Sequence, residues 1–332
     1  MIPVGKTVWS GDYSTYQWSG KRLLDEINEE NGPNSGITIN SAHRSLFTTR
    51  PIWCSFFGVT CGDVSGTPAY ASVVELFLDS LSLNGTLTDS IGNFRSITTF
   101  SMGSNYVYGS IPSAINNWSG SISRILLFQN LFQGTIPEVF SKFSKLTDIQ
   151  LNENYFIGTI PSFIGSLSSL TVLQLFSNNF VGSIPSTIGN INKLERLRLE
   201  GNSLVGSIPN SITKLSLLDL LYLSSNSLTG TIPSNINALT RLRVLQAGRN
   251  QLTGTIPYMA DLSELFILDL FSNKLTMGSF SEVDPAIFSE MTLQGPMNLS
   301  SNCLTLVTKD FFAPASCQQR GVPTSQPTIS KW

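Results

Sequence analysis

The chain has 332 residues, of which 13% are charged, and its formal net charge is −2. Soluble proteins carry about 25% charged residues, so the composition predicts neither a basic stripe for nucleic acid nor a basic amphipathic helix for a membrane surface. The sequence also lacks an apolar run of about 20 residues that would span a bilayer. It has no phosphate-binding glycine loop and no His-Glu-x-x-His motif, so no cofactor or metal is expected.

Residues 1–72 are predicted to form an amino-terminal cap. Apolar residues recur at helical spacing between Arg22 and Ile27, which indicates a short helix. Residues 1–20 lack the apolar core of a signal peptide. We therefore interpret the sequence either as a chain from which such a peptide was removed or as a fragment.

Residues 73–304 contain ten copies of one motif, L-x-x-L-x-L-x-x-N-x-L-x-G-x-I-P, and eight of the nine steps between copies are 23 to 25 residues long. A unit this short cannot enclose its own apolar face, so each copy has to stack on the next and share one core. The period therefore predicts a solenoid with a parallel sheet, to which each copy contributes one short strand.

Two columns of the motif recur in almost every copy. Glycine occupies Gly85, Gly109, Gly134, Gly158, Gly182, Gly206, Gly230 and Gly254, and asparagine occupies Asn105, Asn130, Asn154, Asn178, Asn202, Asn226, Asn250, Asn273 and Asn302. A buried amide in the second column is predicted to bond the backbone of its own coil and of the adjacent coil. The residues after each glycine indicate a second extended segment, which ends at a proline.

The four cysteines form two local pairs, Cys54 with Cys61 before the first strand and Cys303 with Cys317 after the last. A shared zinc site is excluded because the pairs lie at opposite ends of the predicted stack. We therefore expect two disulfides and an oxidising compartment. Residues 305–318 are the predicted carboxy-terminal cap, and residues 319–332 are predicted to be a disordered tail or O-glycosylated linker.

Three N-x-S/T sequons, at Asn84, Asn117 and Asn298, are candidate N-glycosylation sites. They agree with an extracellular or cell-surface location, which the predicted disulfides also favour.

The repeats resemble the plant-type leucine-rich-repeat family, whose signature is G-x-I-P. The segment from Cys54 to Cys61 also resembles the C-x-W-x-G-V-x-C cap motif of that family, with Phe56 in place of tryptophan. The resemblance implies an α/β solenoid, a right-handed superhelix of about ten repeats with a parallel concave sheet and disulfide-sealed caps. Members of the family serve as receptor ectodomains and as inhibitors of cell-wall-degrading enzymes, which implies an extracellular protein, peptide or glycan partner.

The concave face is the first candidate binding surface, because the residues between and beside the strand leucines are expected to point outward. Exposed aromatic residues beside arginines are typical of interfaces, and amides in the middle of the arc could bond a ligand. The predicted ligand-binding residues are Phe128, Gln150, Gln174, Phe176, Arg196, Arg198, Tyr222, Gln246 and Phe271. The alternative for the polar members is that they pair with one another and keep an open sheet soluble.

Two further regions of the sequence are candidate functional sites. A Ser or Thr follows every glycine of the column, at Thr86, Ser110, Thr135, Thr159, Ser183, Ser207, Thr231 and Thr255, and a regular hydroxyl row of this kind suggests either ice binding or a structural role. The spacing of the repeats breaks around residues 279–291, which form either a binding loop or an adaptation to the cap.

Catalysis has little support in the sequence. His43 is the only histidine, and a carboxylate pair such as Asp148 with Glu153 lies on the repeat surface, where desolvation is not expected. The chain is therefore interpreted as a non-catalytic recognition module. A self-associating coat or filament protein is the alternative.

Overall fold

The computed structural model describes residues 58–63, 71–259, 261–276 and 297–298. Within these ranges the chain forms a stack of coils, and each complete coil contributes one strand to a main sheet and a segment to a second side that we call the flank sheet. The predicted cap helix, His43, Cys54, the break at 279–291, Asn302, Cys303, Cys317 and the tail lie outside the described residues.

The main sheet has eleven strands. Its strands are Val59–Asp63, Ala71–Phe77, Thr99–Ser101, Arg124–Leu126, Asp148–Gln150, Val172–Gln174, Arg196–Arg198, Leu220–Tyr222, Val244–Gln246, Ile267–Asp269 and Met297–Asn298. The last ten are parallel, one for each copy of the motif, which confirms the predicted solenoid. The first strand runs antiparallel to its neighbour, with a register shift between Thr60 and Cys61, and was not predicted.

The flank sheet consists of short parallel strands that follow the main strands in the chain. They are Asn84–Thr86, Tyr106–Gly109 and Leu131–Phe132 in one group, and Ile157–Thr159, Asn179–Gly182, Ser203–Ser207 and Ser227–Thr229 in another. Backbone hydrogen bonds from Tyr155 N–H to Phe132 O and from Ile157 N–H to Gly134 O, both 2.8 Å, join the two groups.

The core lies between the two sheets because each strand alternates inward apolar and outward residues. Leu173 and Phe180 are fully buried on successive segments of one coil. Phe156 stacks between Phe132 and Phe180, with ring centroids 6.1 and 6.3 Å apart. The same inward position therefore forms a continuous apolar column along the stack.

The asparagine column ties neighbouring coils together as predicted. The side-chain oxygen of Asn154 accepts the backbone N–H of Phe132 at 2.9 Å, and its amide nitrogen donates to the carbonyls of Leu127, Leu151 and Asn152 at 2.9 to 3.2 Å. Asn105, Asn178 and Asn250 make equivalent bonds. Each amide satisfies backbone groups that the turn after the main strand leaves unpaired.

The prolines have a different role from the one expected. Pro112, Pro137, Pro161, Pro185 and Pro209 are the amino-terminal caps of 3₁₀ helices, so they begin a helix rather than only ending a strand. The fixed φ of proline and its missing N–H suit the start of a helix. The 3₁₀ helices are Asp89–Asn93, Ser113–Trp118, Glu138–Lys142, Ser162–Ser166, Ser186–Asn190, Asn210–Lys214 and Ile236–Ala238.

Cys61 lies on the first strand and is disulfide-bonded. The three other cysteines lie outside the described residues, so the pairing Cys54–Cys61 and the second disulfide stay predictions.

Substitution of Asn154 by alanine should lower the free energy of unfolding by about 1–3 kcal/mol, because the buried N–H of Phe132 loses its acceptor and three carbonyls each lose one donor. Urea unfolding followed by circular dichroism measures the change. Asn192→Ala, which removes an exposed amide, is the control and should have little effect. Equal losses in the two variants would contradict a structural role for the column.

Candidate ligand-binding surface on the main sheet

The concave face, defined here as the outward-facing side chains of the main sheet and the turns that follow it, consists of three columns of residues. The strands show the expected alternation, with Leu173 buried between the half-buried Val172 and Gln174. All nine predicted ligand-binding residues lie on this face, Gln150, Gln174, Arg198, Tyr222 and Gln246 in the central column and the others in the columns beside it.

The aromatic residues of this face are half-buried, whereas the sequence suggested that they are exposed. Phe128 lies over Gly103 of the preceding coil, where a Cβ would come within 2.3 Å of the phenylalanine ring, and Phe271 lies over Gly248 in the same way at 2.5 Å. A glycine in one coil therefore makes room for the ring of the next. These rings are therefore partly covered by the preceding coil.

The centre of the face is an aromatic and arginine cluster, which we call the mid-arc cluster and define as Phe176, Arg196, Arg198, Glu200 and Tyr222. The Arg198 guanidinium carbon lies 3.9 Å from the centroid of the Phe176 ring and 4.8 Å from that of Tyr222. Its Nε also donates to Glu200 Oε1 at 2.8 Å. Cation–π contacts on both sides and a carboxylate at the end fix the guanidinium in one position.

Arg196 of the same cluster is exposed. Asp148 occupies the corresponding position two strands earlier, on the other side of Val172. The Gln150 amide donates to both oxygens of its carboxylate at 3.2 Å, and Arg124 Nε lies 3.8 Å away. The prediction that polar residues pair with one another is therefore confirmed for Arg198 with Glu200. A third cation–π contact of this face joins Arg249 to Phe271 at 5.1 Å.

Three carboxylates of the concave face have a raised pKa. Burial raises the pKa of Asp148 above its ordinary value, against hydrogen bonds from Gln150 and the charges of Arg124 and Arg196. Burial likewise raises the pKa of Glu200, against its own backbone N–H and Arg198, and that of Asp269, against the Phe271 N–H and Arg249. Ionising these carboxyls therefore costs desolvation free energy. A ligand that donates hydrogen bonds to them or carries positive charge would lower that cost.

Three polar atoms of the third column are buried without a hydrogen-bond partner: Asn152 Oδ1, Glu200 Oε2 and Ser224 Oγ. They belong to coils on either side of Phe176, so these polar atoms without hydrogen-bond partners are concentrated around the mid-arc cluster. Buried polar atoms without partners are rare in proteins, and each one costs free energy.

The flank sheet carries the hydroxyl column and a set of exposed apolar residues that the sequence analysis missed. All eight Ser and Thr residues of the column are exposed. Seven of the ten exposed large hydrophobic residues of the described chain also lie here: Tyr106, Tyr108, Leu131, Tyr155, Ile157, Val181 and Val205. The sequence signal for these exposed residues is an alternation around each glycine, in which the positions two before and two after the glycine are buried apolar residues and the positions beside the glycine are exposed.

The hydroxyls of the column do not lie directly opposite one another. In the flank sheet Thr159 pairs with Val181 and Ser207 pairs with Thr229, a step of 22 residues, whereas main-sheet partners are 24 residues apart. The side chain of Thr159 lies over Gly182 instead, where a Cβ would come within 2.8 Å of its methyl carbon. Gly182 has φ +75°, which also favours glycine.

The first two sequons fall on different parts of the surface. Asn84 is exposed and begins the first flank strand. Asn117 is also exposed, but its amide donates to the Gly92 carbonyl at 3.0 Å. Asn298 ends the last main-sheet strand. Glycosylation at the three positions stays a prediction.

In the described ranges, no group of three or more His, Cys, Asp or Glu side chains could hold a metal ion. Asp148 and Glu153 are engaged separately, the first by Gln150 and the second by Gln129 and Asn152. A search of the same residues finds no helix with the length and apolar character needed to cross a bilayer.

A stack of parallel single-strand coils with a buried asparagine in each turn defines the leucine-rich-repeat class. The leucine-rich-repeat family model matches residues 169–191, 193–215 and 217–239. These segments are leucine-rich repeats, and the chain has the leucine-rich-repeat solenoid fold.

Its relatives are plant receptors. The chain is 36% identical over 87 residues to the LRR receptor-like serine/threonine-protein kinase GSO2 of Arabidopsis thaliana, which covers 26% of this chain and 6% of that protein. It is similar in structure to the ectodomain of the Arabidopsis thaliana receptor kinase GASSHO1/SCHENGEN3, solved in complex with CASPARIAN STRIP INTEGRITY FACTOR 2, with a TM-score of 0.69, 29% identity and coverage of 86% of this chain and 36% of that chain.

Two other solved structures are similar. The plant peptide hormone receptor RGFR1 in complex with RGF2 gives a TM-score of 0.61 at 31% identity over 67% of this chain and 35% of that one. A plant ice-binding protein gives 0.62 at 24% identity over 76% and 78% of the two chains, a likeness of fold. The chain thus spans about a third of the length of the two receptor ectodomains.

The raised carboxylate pKa values predict a pH-dependent difference between wild type and Asp148→Asn. Because the folded-state pKa of Asp148 is raised, folding favours its protonated form, and the stability it contributes is present at low pH and is lost as pH rises through that pKa. The variant mimics the protonated form. Urea unfolding at several pH values from about 3 to about 7 should therefore show the wild type losing stability relative to the variant as pH rises.

The control is Asp261→Asn, which removes an exposed carboxyl outside the concave face. If the wild type instead gains stability relative to Asp148→Asn as pH rises, the charges of the arginines, and not burial, determine the pKa of this carboxyl.

Proposed function

We propose that the concave face binds an extracellular peptide or protein ligand, with the mid-arc cluster at its centre, and that the chain is not catalytic. The observation that carries the proposal is the Arg198 guanidinium fixed between Phe176 and Tyr222. Aromatic residues and arginine dominate binding energy at interfaces, and a side chain that is already ordered loses little entropy on binding.

The surrounding charges favour a peptide or protein over a neutral glycan. Arg196 is exposed beside the desolvated carboxylates of Asp148 and Glu200, so the face offers both signs of charge within neighbouring coils. A polypeptide can complement both signs of charge. The complexes of the two receptor ectodomains support this choice of partner.

An extracellular location is part of the proposal. Cys61 is disulfide-bonded, and disulfides persist in oxidising compartments. The similarity to plant receptor ectodomains supports the same location.

The proposal predicts that Phe176→Ala combined with Tyr222→Ala weakens ligand binding by about 2 kcal/mol or more, roughly 30-fold, because both faces of the guanidinium lose their support. A display library of secreted plant peptides can be selected on the wild-type chain, and the affinity of enriched peptides measured on the variant by calorimetry. Tyr258→Ala, which removes an exposed ring from outside this face, is the control. Peptides that bind the double variant as tightly as wild type would place the site elsewhere.

Ice binding through the hydroxyl column is a second candidate, favoured by the exposure of all eight hydroxyl residues on one sheet. The two-residue offset between strands sets Thr159 beside Val181 and Ser207 beside Thr229.

If this candidate holds, the purified chain should show thermal hysteresis in a nanolitre osmometer, and Thr159→Lys with Ser183→Lys should reduce it severalfold because the charged side chains disrupt an ordered water layer. Lys substitution of the exposed Ser168 and Asn192, outside the column, is the control. A wild-type chain without hysteresis would remove the candidate.

A further inference from the structure

The amino-terminal half of the flank sheet exposes a group of apolar residues, which we call the flank patch and define as Tyr106, Tyr108, Leu131, Tyr155 and Ile157. Their exposed fractions are 57%, 47%, 36%, 54% and 52%. Soluble proteins rarely leave contiguous groups of this kind uncovered unless they bind something. The patch lies on a different sheet from the mid-arc cluster and is not used by the proposed function.

The patch is continuous across neighbouring strands. Tyr106 and Tyr108 are two residues apart on one strand and so project from the same side. Tyr108 pairs with Thr86 on one neighbour and with Leu131 on the other. The hydrogen bonds from Tyr155 and Ile157 to the preceding coil carry the same surface onto the next strand.

About half of each tyrosine of the patch is accessible to a ligand, since Tyr106, Tyr108 and Tyr155 expose 57%, 47% and 54% of their surface. Gly109, which follows Tyr108 with φ +84°, lies against the methyl carbon of Thr86, where a Cβ would come within 3.2 Å.

No charged side chain lies on the outward positions of the flank strands in these coils. The residues there are Ser82, Asn84, Thr86, Tyr106, Tyr108, Ser110, Leu131, Gln133, Thr135, Tyr155, Ile157 and Thr159. The patch therefore combines aromatic rings with hydroxyls and amides and carries no ionic group. This chemistry disfavours a charged peptide, a nucleic acid and an acidic polysaccharide, all of which need an opposite charge.

We propose that the flank patch binds a neutral β-linked polysaccharide, with sugar rings stacked on the tyrosines and sugar hydroxyls bonded by the neighbouring amides and hydroxyls. The flat faces of β-linked sugars carry C–H groups that pack against aromatic rings, and rows of rings on an open sheet suit an extended chain. Protein partners concentrate their binding energy in anchors that fill pockets, whereas the patch spreads its exposed side chains over neighbouring strands. The whole chain would then attach to a glycan through one sheet while the other remains free for a ligand.

The test uses the complete chain and three insoluble neutral probes, amorphous cellulose, chitin and mannan, with immobilised polygalacturonic acid as the charged comparison. Samples are measured before and after enzymatic removal of N-glycans, because Asn84 pairs with Tyr106 and a glycan there would lie beside the patch. We expect depletion of the deglycosylated chain from solution by at least one neutral probe and not by polygalacturonic acid.

The variant Tyr106→Ser with Tyr108→Ser should weaken that binding at least tenfold, whereas Tyr106→Phe with Tyr108→Phe should keep most of it because the ring faces remain. Tyr258→Ser, which removes a tyrosine exposed to 44% outside the patch, is the matched control. Phe176→Ala with Tyr222→Ala should bind the glycan like wild type, which separates this site from the concave face.

Several outcomes would overturn the proposal. One is a wild-type chain that no neutral probe depletes, and another is a Tyr106 and Tyr108 serine variant that binds as wild type does. Sedimentation velocity supplies a third: a wild-type dimer that the serine variant abolishes would show that a second copy of the chain occupies the patch. A thermal hysteresis that depends on these tyrosines would assign the patch to ice.

Discussion

The hydrogen bonds of the asparagine amides are the constraint on which the rest of the structure depends. Each amide bonds backbone groups of its own coil and of the preceding coil, as Asn154 does with Leu151 and Leu127. The turn after each main strand would otherwise bury unpaired N–H and C=O groups, which costs free energy at every coil. Because this requirement is met by one inward side chain, the outward positions of the same coil are free to vary.

That freedom gives the molecule two surfaces with different chemistry. The main sheet carries arginines and carboxylates interleaved with half-buried rings, and Arg198 is held by Phe176 and Tyr222. The flank sheet carries tyrosines, aliphatic residues and hydroxyls without charge over most of its length. Both surfaces rest on the same buried leucines and phenylalanines, so a change on one need not disturb the other.

The repeat period alone was enough to predict the parallel sheet, the inward leucines and the bonding of the asparagine column, because these depend only on contacts that recur in every coil. The burial of Phe128 and Phe271 could not be predicted from their own columns, since it depends on Gly103 and Gly248 in the preceding coils. The exposed tyrosines of the flank sheet could not be recognised from the glycine column, because their exposure depends on which residues of the short flank strands project outward. The offset between flank strands could not be read from a column alignment, which places equivalent residues side by side whatever their true pairing. The nine ligand-binding residues share one face, but their role in binding stays a prediction.

The fit of Thr159 over Gly182 has a consequence for how such a molecule can be rearranged. A hydroxyl residue and a glycine recur in nearly all the central coils, so each of these coils can make the same contact with the coil before it and with the coil after it. Exchanging two of them, or duplicating one, would preserve this contact and the bonds of the asparagine column, and would alter the order in which tyrosines, arginines and amides follow one another. The molecule can thus acquire a new pattern of outward side chains by reordering whole coils while the contacts that join each coil to the next are kept.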